Sequence, residues 1–354
     1  MISYQALNAK IQGRKHILFQ AEDWNKIVKF TTPAEIFDYF KNKYGYMEYL
    51  PQDKKMDLHR GDFEVSFHRL IVGEIEKMLH YMSCDYKVFF KTMLMKYEIH
   101  DLELILRDIE SINKPSYEID KHFIHSEKYE SINFKKLIEV KDFKQFIEQL
   151  NNTPYHEPLK TLEKEDIKDR YWHMEMKAST TFYKLFTERA KKLSEVDAEI
   201  ASRIIGTKID CLNIEWIYRA KKYYNISKEE MLIYSLPNGY KISFGKLKKL
   251  IYVEDIKEFK KLAESYISSP IFVEDDELLE KHLNKLFYEM LNKQENQDGV
   301  GKLLGYIYKS EIELKDLVSI IEGLRYGLNQ QQITQYLVNK RVEAAYGNRK
   351  NDNV

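Results

Sequence analysis

Three pairs of polar residues have the types and the spacing that catalysis could use. In each pair an acid is followed three residues later by an aspartate or asparagine, which places both side chains on one face of a helix. Two carboxylates held side by side could act as a general acid and a general base. However, the pairs recur beside the same apolar stripe, which favours a packing role that each helical unit requires. The pairs are Glu98 with Asp101, Asp210 with Asn213, and Glu313 with Asp316.

The pairs belong to a motif of twelve residues that occurs three times. Its copies begin at Lys96, Lys208 and Glu311 and are therefore 112 and 103 residues apart. Apolar residues recur within each copy at intervals of three and four, which is the pattern of one helix face. Because the twelfth position changes its sign between copies, we interpret it as a surface or inter-domain contact. The residues at this position are Arg107, Arg219 and Glu322.

A second block of sequence repeats in the same order. Residues 134–146 and 247–259 are identical at eight of thirteen positions, whereas residues 27–39 are a much weaker first copy. The period of about 110 residues has the size of a domain. We therefore predict an all-α fold of three similar helical-bundle domains in series. The predicted domain bounds are residues 1–123, 124–236 and 237–354.

The positions of the few prolines support long helices, because proline interrupts a helix interior. The seven prolines leave three long stretches without any, and each stretch carries one copy of the motif. Ser227 and Glu230 form a capping-box pattern that predicts the start of a further helix. Cys211 and Trp216 occupy the apolar stripe and are predicted to lie in the core. The proline-free stretches are residues 52–114, 159–236 and 271–354.

Other candidate sites are weak. Gly301-Lys302 resembles the end of a phosphate-binding loop, but Asn296 stands where that loop needs glycine and Leu303 replaces its Ser or Thr. His122 and His125 could offer two metal ligands, but no second pair of ligands has a matching spacing. The sequence therefore predicts no catalytic residues, no bound cofactor and no metal site.

Composition narrows the possible partners and location. The chain has 56 basic and 56 acidic residues, so it lacks the positive field that attracts nucleic acid. With two cysteines among 354 residues, no disulfide framework is implied. No apolar run approaches the ~20 residues of a membrane span, and the N-terminus lacks a secretory pattern. We expect a soluble, intracellular protein that could still dock on a membrane complex.

Several segments together resemble the C subunits of the rotary V/A-type ATPases, a family that includes the eukaryotic d subunit. The resemblance covers nearly the whole chain. Its most specific segment, residues 208–230 (KIDCLNIEWIYRAKKYYNISKEE), is similar to the bacterial branch. The other matching segments are residues 4–11, 58–64, 96–99, 105–107, 304–307 and 311–314.

The resemblance implies a funnel of three similar helical domains with pseudo-threefold symmetry. It further implies a cytoplasmic protein, one copy per complex, that is peripheral on the membrane through the ATPase complex. Its partners would be the central-shaft subunits of the soluble ATPase head and the proteolipid subunits of the membrane rotor ring. Such a protein transmits torque between head and ring and performs no chemistry itself.

Two other classes of function remain open on the residues alone. The repeat by itself would suit a generic helical adaptor or scaffold protein with no rotary partner. A bundle-core carboxylate site would suit an enzyme, and stoichiometric metal binding by the purified chain would favour it. Partners that are all soluble signalling proteins would favour the adaptor.

Overall fold

All regular structure in the described part of the chain is helical, which confirms the predicted all-α class. The structure, a computed structural model, describes residues 9, 13, 19–42, 60–110, 118–224, 226–273, 276–294 and 299–338. The α-helices with described bounds are α1 (Ala21–Ile27), α2 (Pro33–Lys41), α3 (Arg60–Leu79), α4 (Cys84–Thr92), α5 (Met95–Ile109), α6 (Phe134–Leu137), α7 (Phe143–Gln149), α8 (His156–Lys160), α9 (Ile167–Ala190), α10 (Glu195–Tyr223), α11 (Lys228–Tyr234), α12 (Phe244–Tyr252), α13 (Ile256–Ile267), α14 (Leu279–Gln294), α15 (Val300–Arg325) and α16 (Gln330–Thr334). Short 3₁₀ helices span Ile119–His122, Thr161–Lys164 and Asp276–Leu278.

Each copy of the twelve-residue motif lies within a single helix. The first copy lies on α5, and the second and third lie on the C-terminal halves of α10 and α15. We call these three the motif helices, and we call α3, α9 and α14, which precede them in the chain, the leading helices. The second repeated block forms pairs of short helices, namely α1–α2, α6–α7 and α12–α13.

The first copy has two helices in succession, α4 and α5, where the second copy has the single helix α10. Between α4 and α5, the backbone N–H groups of Met93 and Leu94 donate to carbonyls three residues back instead of four. The Thr92 hydroxyl donates to the carbonyl of Val88 at 2.8 Å and accepts from the guanidinium of Arg189 at 2.6 Å. Thr207 in the continuous helix α10 makes the same bond to the carbonyl of Arg203, at 2.7 Å, so the bond to Arg189 is what distinguishes Thr92 from Thr207.

The helices of successive copies pack against one another in a closed order. Motif helix α5 packs on leading helix α9, α10 packs on α14, and α15 packs on α3 at the beginning of the chain. The buried apolar side chains of all three copies form one continuous core. The chain therefore closes on itself through its first and last copies. The funnel shape, its pseudo-threefold symmetry and the domain bounds stay predictions.

Several local sequence predictions can be compared with the structure. The Ser227 hydroxyl accepts the backbone N–H of Glu230 at 3.1 Å and caps α11, as predicted. Cys211 is buried, as predicted, whereas Trp216 is only partly buried because it lies between the core and a cavity. Within the described ranges, no helix combines the length and apolarity that crossing a membrane requires.

Gly206 on α10 allows a close approach of the chain that follows the helix. A Cβ at this position would lie 2.8 Å from the backbone nitrogen of Tyr240 and 3.0 Å from its Cβ. We therefore expect Gly206→Ala to lower the free energy of unfolding by about 1–3 kcal/mol, as overpacking does. Urea denaturation would measure the change.

The matched control is Gly305→Ala on α15. Its Cβ would meet nothing within 4 Å, so the higher helix propensity of alanine should raise stability by up to ~1 kcal/mol. Equal effects of the two substitutions would contradict the close-approach explanation.

A charged central cavity as the candidate functional site

The polar pairs that the sequence singled out are buried in all three copies. Their six side chains are at most 8 % exposed. Each lies at the third or sixth position of the twelve-residue motif, and each accepts a backbone N–H from another segment of the chain. The buried side chains are Glu98, Asp101, Asp210, Asn213, Glu313 and Asp316.

In the first copy, Asp101 binds the chain that follows α5. Its carboxylate accepts the backbone N–H groups of Ile124 at 2.9 Å and His125 at 2.8 Å. It also contacts the Nδ1 atoms of His125 and His100 at 2.8 and 2.9 Å. Burial alone would raise the pKa of Asp101, but the hydrogen bonds from the two histidines hold it below its usual value. Glu98 accepts the N–H of Ser131 at 2.6 Å in the same way.

In the second copy, the sixth position carries an amide and makes a two-way bond. Asn213 accepts the N–H of Leu236 at 2.8 Å and donates to the carbonyl of the same residue at 2.9 Å. Asp210 accepts the N–H groups of Lys241 and Ile242 at 2.7 and 3.2 Å. Burial raises the pKa of Asp210 to about 6, although these backbone bonds oppose the shift.

The third copy uses the same positions to bind a segment near the N-terminal side of α1 and the segment that follows α16. Asp316 accepts the N–H of Val338 at 2.8 Å. Glu313 accepts the N–H of Phe19, just before α1, at 3.4 Å. The third position thus binds the segment that enters the next pair of short helices, and in the last copy that pair is α1–α2. This geometry suits anchoring of the chain, because the partners are backbone amides.

Two of the three twelfth-position residues, Arg107 and Arg219, lie at the surface, whereas the third, Glu322, is only 19 % exposed. Arg107 is 66 % exposed and lies 4.0 Å from Glu103 on its own helix. Arg219 is 50 % exposed and links Glu215, at 2.9 Å, to Glu280 of leading helix α14, at 3.6 Å. Glu322 pairs with Arg325 at 3.0 Å.

The histidine and glycine candidates have packing roles. His125 lies against Asp101 and stacks on Phe134, with ring centroids 3.8 Å apart. Gly301 lies inside α15, where a Cβ would meet a methyl of Ile200 at 3.0 Å. In the described ranges, no three histidine, cysteine or acidic side chains cluster as metal ligands would.

A cavity of about 810 Å³ lies among the three motif helices and the three leading helices. The motif's first-position residues Lys96, Lys208 and Glu311 line it. Side-chain exposure rises along α5, from 25 % at Lys96 to 66 % at Arg107, whereas on α15 it is 18 % at Glu311 and 19 % at Glu322. We call the part of this central cavity that the first-position residues line its floor.

A partly buried ion pair joins the first and last copies at the floor. The ammonium of Lys96 lies 2.6 and 2.7 Å from the two carboxylate oxygens of Glu311, and the Tyr97 hydroxyl donates to Glu311 at 3.0 Å. Burial alone would raise the pKa of Glu311, but Lys96 and Tyr97 hold it below the usual range. Sequence analysis did not single out these residues, although their place at the head of each copy was visible.

The wall between the second and third copies carries further ion pairs. Lys315 of α15 lies 2.6 Å from Glu280 of α14, which also faces Arg219 of α10. Lys315 holds the pKa of Glu280 below its usual value. These contacts tie three helices together around the cavity.

The opposite wall is acidic. Burial raises the pKa of Glu103 on α5 to about 7, and the nearby Glu175 of α9 adds to the shift, whereas Arg107 and His100 oppose it. Burial also raises the pKa of Glu175. Burial therefore disfavours the charged form of both carboxyl groups on this side of the cavity.

The Glu103 carboxyl should make stability depend on pH. Its folded pKa of about 7 exceeds the ~4.3 of an unfolded glutamate. The protonated carboxyl therefore contributes its full stabilisation to the folded state below about pH 4, and this contribution to the free energy of unfolding is lost as pH rises through 7. We expect Glu103→Gln to raise the free energy of unfolding at pH 8 by about 1–2 kcal/mol, and to do so much less at pH 5. Urea denaturation at both pH values would measure this. Glu148→Gln, on an exposed face of α7, is the control, and an equal effect of Glu103→Gln at both pH values would contradict the expectation.

Comparisons with known proteins agree with the sequence resemblance. The A-type ATP synthase C subunit of Methanobrevibacter smithii is 24% identical over 358 residues, covering 95% of this chain and 88% of that protein. The protein of the same name from Methanocaldococcus jannaschii is also 24% identical, covering 95% and 86%. That of Thermococcus onnurineus is 21% identical, covering 94% and 89%. The model of the ATP synthase (C/AC39) subunit family matches residues 7–336, and the chain belongs to this family.

Proposed function

We propose that this chain is the non-catalytic central-stalk subunit of a rotary V/A-type ATPase. In this role it receives the tip of the central shaft in its central cavity and rests on the membrane rotor ring. It transmits torque between the ATP-hydrolysing head and the ion-carrying ring, on the cytoplasmic side of the membrane and as a peripheral part of the complex. The family membership and the relatives named as ATP synthase subunits support the assignment to this complex.

The observation that carries the coupling role is the central cavity. Every motif helix and every leading helix contributes to its lining, so a load applied inside it is shared by all three copies. Small-molecule sites are mostly apolar with a few polar groups. This cavity instead presents charged side chains from all six helices, which suits a polar macromolecular partner.

The fold also suits the transmission of force. The core is continuous through the three copies, and close-packed interiors deform little under load. The Lys96–Glu311 pair and the packing of α15 on α3 join the last copy to the first. Torque applied at the cavity is therefore distributed around a closed ring of helices.

An affinity pull-down from detergent-solubilised native membranes tests this function. The full-length chain should retain both the central-shaft subunits and the small, very apolar rotor-ring protein, identified by mass spectrometry. Recovery of soluble signalling proteins alone, from membranes shown to contain an intact rotary ATPase, would favour the adaptor function instead.

A cavity-blocking variant makes the test specific to the site. Ser179 lies on the cavity wall formed by α9, so Ser179→Trp should remove the shaft subunits from the retained set and leave the ring protein. Ser319→Trp, on the wall formed by α15, is a second blocking variant. Ser265→Trp on the exposed face of α13 is the matched control and should retain both partners. Retention of the shaft by both blocking variants would exclude the cavity as its binding site.

A further inference from the structure

One side of helix α12 is exposed and combines aromatic rings with a lysine. Phe244, Lys248 and Tyr252 are spaced four residues apart and therefore share a side of this helix. Phe244 is 68 % exposed and Tyr252 is 41 % exposed, whereas the opposite side of α12 is buried in the core. We call the side that carries these three residues the outer face of α12.

The segment that forms the outer face is basic throughout. Residues 239–253 contain four lysines, no arginine and no acidic residue. The Lys246 ammonium donates to the carbonyl of Lys241 at 2.9 Å, and the Lys248 ammonium lies 5.6 Å from the centre of the Tyr252 ring. Among the described residues, no carboxylate oxygen lies within 4.0 Å of any of the four ammonium groups in this segment.

The surrounding helices do not cancel this charge. Residues 221–261, which include the neighbouring helix α11 and part of α13, carry ten lysines and five acidic residues. The two acids that follow α12 are already engaged, because Glu254 pairs with Lys228 at 2.7 Å and Asp255 accepts the backbone N–H of Lys257 at 3.1 Å. Lys221 of α10 adds a cation at the C-terminal end of α12, where its ammonium donates to two carbonyls, both at 2.6 Å.

The corresponding helix of the second copy of the block lacks this face. Both helices share a pair of adjacent lysines, but α6 is followed by Glu139 at the position where α12 has Tyr252. In the aligned block α12 also begins three residues earlier, which adds the turn that carries Phe244. Residues 126–140 contain three lysines and three acidic residues, so this segment is neutral. The repeated fold therefore does not require the aromatic and basic outer face, which indicates an interaction surface.

The composition of the outer face favours a lipid partner over a protein. Protein interfaces are enriched in aromatic residues and arginine but depleted of lysine. Clusters of lysine are instead attracted to anionic headgroups, and aromatic side chains are enriched where membrane and water meet. Because Phe244 and Tyr252 lie along one side of a helix, both rings can enter the headgroup layer together.

We propose that the outer face of α12 binds directly to the surface of a membrane that contains anionic phospholipids. Lys248 and Lys249 pair with the phosphate groups, and Phe244 inserts among the headgroups. This contact goes beyond the proposed function, because it involves lipid and neither the shaft nor the rotor ring. It holds the chain at the membrane independently of both.

Co-sedimentation of the full-length chain with lipid vesicles tests the inference. Vesicles of phosphatidylglycerol and phosphatidylcholine in equal parts should bind the chain, and vesicles of phosphatidylcholine alone should bind it about tenfold more weakly at low salt. Lys248→Gln/Lys249→Gln should weaken binding to the anionic vesicles about ten- to thirtyfold, since each lysine near an anionic surface contributes about fivefold. Phe244→Ser should weaken it about three- to tenfold. Thermal unfolding would show that the variants remain folded.

The matched control is Lys135→Gln/Lys136→Gln, which removes the same two charges from the equivalent positions of α6. It should bind the anionic vesicles as the wild type does. Equal losses for the two double variants would overturn the inference, and so would binding that shows no preference for the anionic vesicles.

A protein partner for the outer face would give a different result. The chain would then bind neither kind of vesicle, and Lys248→Gln/Lys249→Gln would lose a protein from the native-membrane pull-down, which would also overturn the inference. Retention of the shaft subunits and the rotor-ring protein in that pull-down tests the proposed function separately. The lipid contact and the proposed function can therefore fail independently of each other.

Discussion

Asp101→Ala should lower the free energy of unfolding by about 3–5 kcal/mol, which is among the largest effects of a single substitution. The side chain is 0 % exposed and accepts backbone N–H groups from Ile124 and His125. Alanine would leave both buried donors without an acceptor, and it would also remove the partner of His125 Nδ1. Each buried donor left without a partner costs about 1–3 kcal/mol. Urea denaturation followed by circular dichroism would measure the loss.

The sixth position of the second copy supplies a matched exchange. Asn213 both accepts from and donates to the backbone of Leu236, so Asn213→Asp would turn a second oxygen towards a carbonyl. Asp101→Asn would turn an amide donor towards the N–H groups of Ile124 and His125. Each exchange should therefore destabilise the protein by about 2–3 kcal/mol. If both exchanges were neutral, the position would need only a polar side chain, and the hydrogen-bond explanation would be wrong.

Acid should reduce the effect of the alanine substitution. The folded pKa of Asp101 is lowered, so the stability that its carboxylate contributes is present above the unfolded pKa of ~3.9 and is lost as pH falls through the folded value. The difference between the wild type and Asp101→Ala should consequently narrow below about pH 4. A difference that did not change with pH would show that the charge of Asp101 is unimportant.

The repeat was readable from the sequence because its residues are constrained locally. A helix stripe requires apolar side chains at intervals of three and four, and each third- and sixth-position residue must meet a backbone N–H. Glu98 and Asp210 therefore recur at one position although their backbone partners, Ser131 and Lys241, have unrelated side chains. The all-α class follows from the same stripes.

The central cavity could not be predicted in the same way, because it depends on where three distant helices meet. Lys96 and Glu311 are 215 residues apart and head two copies of the motif with opposite charges. Opposite charges at these two positions would suit either a solvated surface or an ion pair, and only the tertiary packing that brings Lys96 of α5 to Glu311 of α15 decides between them. The same limit applies to Trp216. Its position on the apolar stripe predicts a core residue, but the stripe faces both the core and the cavity, so Trp216 is only partly buried.

Glu311→Gln should lower the free energy of unfolding by about 2–4 kcal/mol, the second large effect. Its carboxylate is 18 % exposed and compensates Lys96, and it also interacts with Lys208. Removing this charge would leave Lys96 without its carboxylate partner. It would also weaken the bond that the Tyr97 hydroxyl donates to Glu311.

The double variant Lys96→Met/Glu311→Leu tests whether the ion pair is needed only for stability or also for binding the shaft. Replacing a buried ion pair by apolar side chains of similar size is often close to neutral, so the double variant should regain most of the stability that Glu311→Gln loses. Because it removes one charge of each sign, it leaves the net charge of the cavity unchanged. It should therefore bind the shaft nearly as the wild type does. Weak binding by the stable double variant would mean that the shaft contacts the Lys96–Glu311 pair itself, and the floor would then act as a single charged surface.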